Sequence, residues 1–68
     1  MIEFELQTEF IELNKLLKLL RLVESGGQAK LVIDDGMVFL NGKTEYRKRA
    51  KVRKGDQIQF DDQTIMII

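Results

Sequence analysis

The sequence predicts an α+β fold in the order βααββββ, two helices packed on a small, mostly antiparallel sheet, and three observations in its 68 residues lead there. Apolar and polar residues alternate at the N-terminus. They recur at helical spacing across the first half of the chain. From Gly36 onward they fall into short runs separated by Asn41-Gly42, Gly55-Asp56 and Asp61-Asp62. A chain of this length buries only about 60% of the surface that its unfolded form exposes, so one domain spanning 1–68 is expected and a second core is not.

Ile2, Phe4 and Leu6 alternate with Glu3, Glu5 and Gln7 and predict a half-buried strand. Thr8 then stops the alternation and can cap a helix beginning at Glu9. In that helix Phe10, Leu13, Leu17 and Leu20 form the buried stripe, widened by Ile11 and Leu16, with Lys15 and Lys18 facing water. Ser25-Gly26-Gly27-Gln28 has the form of a capping box and starts a second helix of barely two turns, whose Ala29, Val32 and Ile33 face the first. Gly36 is placed to end it in the left-handed conformation. Met37 to Leu40 then reads as a strand, and Asn41-Gly42 as the tightest kind of hairpin turn. Val52 and the Lys54-Gly55-Asp56 turn lead into a strand over Gln57 to Phe60. Asp61-Asp62-Gln63 reverses the chain into a last strand, Thr64 to Ile68.

Composition removes several kinds of chemistry. Without cysteine or histidine there are no disulfides, no thiolate nucleophile, no imidazole acid–base catalysis and no zinc site of the usual ligand types, so neither an enzyme nor a cofactor is expected. The adjacent carboxylates Asp34-Asp35 and Asp61-Asp62 read as a helix end and a turn rather than a metal site, because neighbouring side chains point apart and no third ligand follows at fixed spacing. The N-terminal Met-Ile-Glu-Phe-Glu-Leu has no basic lead and no continuous apolar run, which predicts a cytoplasmic protein.

Net charge is zero, yet the charges are segregated. Seven of the eleven basic residues, Lys43, Arg47, Lys48, Arg49, Lys51, Arg53 and Lys54, fall within twelve positions that hold one acid, Glu45. Glu3, Glu5, Glu9 and Glu12 occupy the first twelve positions without a basic residue among them. Lysine along an edge strand is a common guard against aggregation. Three arginines and Tyr46 interleaved with the lysines point instead to RNA, since arginine forks pair with phosphate oxygens and a tyrosine ring can stack on a base. The Ser25 turn is either a helix cap alone or also a seat for a backbone phosphate, with Lys30, Lys15 and Lys18 as nearby cations. Phe4, Phe10, Phe39 and Phe60 fall in apolar patterns and are assigned to the core. That leaves no platform for stacking successive single-stranded bases, so folded RNA is the expected partner of a monomeric protein. A protein-interaction adaptor using the acidic and basic poles is the second reading, and a small enzyme a distant third.

The spaced residues Ser25, Ala29, Ile33, Gly36, Val38, Leu40, Asn41 and Gly42, followed by Lys54-Gly55-Asp56-x-Ile58, resemble the S-four-type RNA-binding domain. Leu16-Leu17-Lys18-Leu19, Ser25 to Lys30 and Glu45-x-Arg47-Lys48-x-x-Lys51 are similar to its stand-alone bacterial branch. The resemblance implies the αL motif, two helices and a hairpin that form a basic surface for structured RNA, often ribosomal, with roles in ribosome assembly or translation and no catalysis. In the wider family an arginine usually follows the serine; here it is Gly26. The implied contact residues are therefore Lys18, Ser25, Gln28, Lys30, Lys43, Tyr46, Arg47, Lys48, Arg49, Lys51, Arg53 and Lys54.

Overall fold

The computed structural model describes all of residues 1–68. Strand β1 (Ile2–Phe4) is followed by a two-residue strand β2 (Ile11–Glu12), helix α1 (Leu13–Leu19) and helix α2 (Gly26–Asp34). Five strands follow: β3 (Val38–Leu40), β4 (Lys43–Thr44), β5 (Lys51–Val52), β6 (Gln57–Phe60) and β7 (Gln63–Ile67). The main sheet has the order β1-β7-β6-β3-β4 and is antiparallel except where β1 runs parallel to β7. The α+β prediction of two helices on a mostly antiparallel sheet therefore holds, and β2 and β5, which pair with each other as a separate ribbon, are additions to it.

One cluster of buried side chains joins the layers. Leu13, Leu16 and Leu17 of α1 and Ala29 and Ile33 of α2 meet Val38, Val52, Ile58, Ile65 and Ile67 from the strands. Every buried residue is apolar, and no buried side-chain polar atom lacks a partner, so burial is opposed by no desolvated charge. Phe4 and Phe60 pack partly buried against this cluster. The assignment of Phe10 and Phe39 to the core is corrected. Phe39 points outward from β3 and is exposed, while Phe10 is half-buried beneath the Lys51 ammonium, 4.9 Å from its ring centroid.

The start of α1 also differs from expectation. Thr8 caps nothing, because its hydroxyl donates to the Phe10 carbonyl at 2.8 Å. Ile11 and Glu12 are extended and pair with Val52 and Lys51. A strand pairing has taken the first turn of the predicted helix. Helical spacing cannot detect this, because the partners of Ile11 and Glu12 lie some forty positions further along the chain.

Both helices end in the same motif with different residues. At α2, Gly36 has φ 75°, its amide donates to the Ile33 carbonyl and the Met37 amide to the Val32 carbonyl, each at 3.1 Å. At α1, Arg21 takes the glycine's place with φ 60°, its amide donating to Lys18 and that of Leu22 to Leu17, each at 3.0 Å. Leu20, expected as the last helical apolar position, is the cap residue of this turn. A side chain in the left-handed region costs roughly 1 kcal/mol relative to glycine. Arg21→Gly should accordingly raise stability by about 0.5–1 kcal/mol. Gly36→Ala should lower it by about 1 kcal/mol or more, since a Cβ there would also lie 3.2 Å from the Tyr46 hydroxyl. Urea unfolding of the two variants beside the parent checks both signs.

Candidate nucleic-acid interface

The hairpin after Asn41-Gly42 is as tight as the dipeptide predicts, with both residues at positive φ and Leu40 opposite Lys43. It is short. The last sheet bond runs from the Glu45 amide to the Val38 carbonyl at 2.9 Å, after which the Glu45 carboxylate accepts from the Arg47 amide at 3.0 Å and turns the chain off the sheet. The basic segment from Lys43 to Lys54 is thus not one hairpin. Lys43 lies on β4, residues 45–50 form a loop, Lys51 lies on β5, and Lys54 sits in the turn before β6.

That loop lies across the start of α1. The Leu13 amide donates to the Ala50 carbonyl at 2.9 Å and the Asn14 amide to the Lys48 carbonyl at 3.0 Å, so two of the helix's free N–H groups are satisfied by the basic loop itself. The cap residue Glu12 makes no side-chain cap bond, and its carboxylate is used elsewhere. Each member of the Arg47-Lys48-Arg49 triplet has its own carboxylate, one within the loop and two on other elements. Arg47 forms a two-pronged bond to Glu45 with both contacts at 3.0 Å, Lys48 lies 3.4 Å from Asp34 at the end of α2, and Arg49 lies 3.1 Å from Glu12 on β2. Asp34, expected only to end a helix, therefore also ties the loop to α2.

Three shallow clefts line this side of the molecule, and shared residues join them. One of about 580 Å³ is lined by Glu12, Asn14, Lys15, Lys30, Lys48 and Arg49. Arg49 also borders a second, of about 470 Å³, with Arg47, Ala50, Lys51 and Arg53. Lys15 also borders a third, of about 370 Å³, with Lys18, Leu19 and Arg21. The result is a cationic stripe from β5 across the loop to the end of α1. It brings together Lys18, Lys30, Arg47, Lys48, Arg49, Lys51 and Arg53 of the expected contact residues. Lys43, Tyr46, Lys54, Ser25 and Gln28 border none of the clefts. Tyr46 is 62% exposed, with its hydroxyl end against Gly36. Sequence reading placed Lys15 near the Ser25 seat without counting it as a contact, and left Arg21, Asn14 and Glu12 out of the site. For Arg21 a signal was present, a bulky residue where a helix would end on glycine; for Glu12 there was none, because its partner is 37 residues away.

The start of α2 is capped as predicted, the Ser25 hydroxyl accepting from the Gln28 amide at 3.1 Å. The Gln28 side chain reaches one residue further back than a regular capping box, accepting from the Glu24 amide at 2.6 Å. Space around Gly26 is open, with nothing within 4 Å of where a Cβ would lie. No cluster of three or more metal-ligating side chains is present, and no helix is long and apolar enough to cross a membrane.

The fold and the family agree. Residues 4–68 match the model of the S4 domain, and the chain belongs to that family. Among its relatives is YbcJ of Escherichia coli strain K12, provisionally named an RNA-binding protein, which is 40% identical over 58 residues covering 85% of this chain and 83% of YbcJ. RlbA of Bacillus subtilis strain 168, provisionally named a ribosome maturation protein, is 32% identical over 56 residues covering 82% of this chain and 79% of RlbA. The solution structure of Escherichia coli YbcJ, described as revealing an αL motif involved in RNA binding, superposes with a TM-score of 0.75 at 38% identity, covering all of this chain and 87% of that one.

Hydrogen bonds from Arg47 hold the Glu45 carboxyl below its usual range, and the same pairing raises the Arg47 guanidinium. Glu12 is lowered likewise, chiefly by its hydrogen bond from Arg49. A carboxylate depressed in the folded state stabilises it above the group's unfolded pKa, and that contribution is lost as pH falls through the lower folded value. Glu45→Gln should therefore be less stable than the parent at neutral pH, with the difference shrinking as pH drops below about 4.3. Thermal melts of both proteins across the acid range read out this convergence.

Proposed function

We propose that the chain binds structured RNA, ribosomal RNA foremost, without catalysis, through the stripe formed by α1, α2, the 45–50 loop and β5. The observation that carries this reading is the continuity of the stripe. Clefts joined at Arg49 and Lys15 present cations from four separate elements on one side of a molecule about 26 × 21 × 19 Å across, which suits a rigid partner with phosphates at fixed positions. Membership of the S4 domain family, the αL motif described for YbcJ and the ribosome-maturation name of RlbA support the same reading and favour a role in ribosome assembly or translation. The chain acts as one domain and a monomer in the cytoplasm, with no cofactor. Lys43, Lys54, Tyr46, Ser25 and Gln28 flank the stripe and extend the surface to a larger RNA.

Phe10 strengthens the preference for folded RNA. Its ring is covered by Lys51 and by Arg53, whose guanidinium carbon lies 5.8 Å from the centroid, so it supports cations and is not free to stack on bases. If about four to six phosphates are contacted, the logarithm of affinity should fall with the logarithm of salt at a slope of about −3 to −5. A folded ribosomal fragment should out-compete a single strand of equal length. Lys51→Ala and Arg53→Ala should weaken binding while moving stability by less than about 0.5 kcal/mol. Filter binding or fluorescence anisotropy at several salt concentrations checks the three binding outcomes, and urea unfolding checks the stability of the two variants. A flat salt response would transfer support to the protein-adaptor reading.

A further inference from the structure

Glu12 stands inside the cationic stripe, apart from the other N-terminal acids. Its Oε2 lies 3.1 Å from Arg49 Nε and its Oε1 lies 3.5 Å from Lys15 Nζ. Its side chain is only 18% exposed, whereas those of Lys15 and Arg49 are 70% and 79% exposed. One anion whose two oxygens hold a guanidinium and an ammonium occupies the arrangement that a phosphate would take. Lys30 and Lys48 line the same cleft, no hydrophobic residue does, and Lys30 has no carboxylate of its own.

We propose that this cleft seats one phosphate of the bound RNA and that Glu12 is a built-in competitor for the seat, holding Arg49 and Lys15 until a phosphate takes them over. The proposal rests on the RNA-binding reading and extends it to selectivity. Exchanging one anion for another gains little for an isolated phosphate. A rigid RNA that also engages Lys51 and Arg53 on one side and Lys18 on the other supplies the rest of the free energy through linked contacts. The carboxylate thus lowers affinity by the same factor for every RNA that seats a phosphate here, and only an RNA with enough linked contacts stays bound in spite of it. The backbone of Glu12 is fixed by pairing with Lys51, so only its side chain has to move.

Glu12→Gln tests this, because the amide keeps the shape and an acceptor for Arg49 but removes the charge. Inorganic phosphate, followed by NMR at the Arg49 Nε–H, should perturb that resonance at lower concentration in Glu12→Gln than in the parent. Affinity for RNA should rise roughly three- to tenfold, from release of two exposed ion pairs. The gain should appear for a folded ribosomal fragment, whose linked contacts place a phosphate in the cleft. Glu3→Gln makes the same charge change on β1, away from the clefts, and should alter affinity by less than about twofold. A gain no larger than that of Glu3→Gln, or an Arg49 resonance that phosphate leaves unmoved in both proteins, overturns the proposal. If the parent bound no RNA while phosphate still reached Arg49 more readily in Glu12→Gln, the competitor role would stand and the RNA assignment would fall.

Discussion

The arrangement depends on two hydrogen bonds, from the Leu13 and Asn14 amides to the carbonyls of Ala50 and Lys48. A helix leaves its first N–H groups without partners, and this one has no side-chain cap, so the loop carrying Arg47, Lys48 and Arg49 serves as the cap. The ribbon of β2 and β5 closes just beside it, with Ile11 opposite Val52 and Glu12 opposite Lys51. Buried Val52 and Ala50 anchor the loop to the core from within. A segment rich in like charges would otherwise repel itself into extended, mobile conformations. Here its backbone completes a helix whose buried face, Leu13, Leu16 and Leu17, lies at the centre of the core.

Charge pairing follows from that geometry. Once the loop lies across α1, its three consecutive cations pair with three carboxylates, Glu45 within the loop, Asp34 on α2 and Glu12 on β2. Exposed pairs of this kind contribute little to stability singly, roughly 0–1 kcal/mol each. Their larger effect is to orient the side chains and partly neutralise the stripe, which lets a chain of zero net charge present a cationic surface without strong self-repulsion. Lys51 and Arg53 are positioned differently, over the ring of Phe10, and remain without a carboxylate.

Much of this was legible in the residues because it is local. The Asn41-Gly42 turn, the Ser25 cap and the Gly36 helix end each follow from a side chain or a φ angle that acts within four residues, and the structure has all three. The sheet strands followed from period two, although Val38 and Gln63, rather than Met37 and Thr64, begin theirs. What could not be read was set by contacts distant in sequence. Ile11 and Glu12 belong to a strand because Val52 and Lys51 lie opposite. Phe10 leaves the core because two cations some forty positions on cover it. The basic density from Lys43 to Lys54 was plain, but its division into strand, loop and turn was not. Neither was the recruitment of Asn14 and Glu12, which spacing along the chain does not bring to the basic loop.

The central claim is that the basic loop is held in place before any RNA arrives. Backbone 15N relaxation of the free protein measures this directly at residues 47–50. A preformed loop predicts order parameters near those of the rigid backbone, about 0.85, at Lys48, Arg49 and Ala50, together with slow hydrogen exchange at the Leu13 and Asn14 amides. Order parameters below about 0.6 across the loop, with those two amides exchanging freely, would contradict it and mean that the surface forms only on binding.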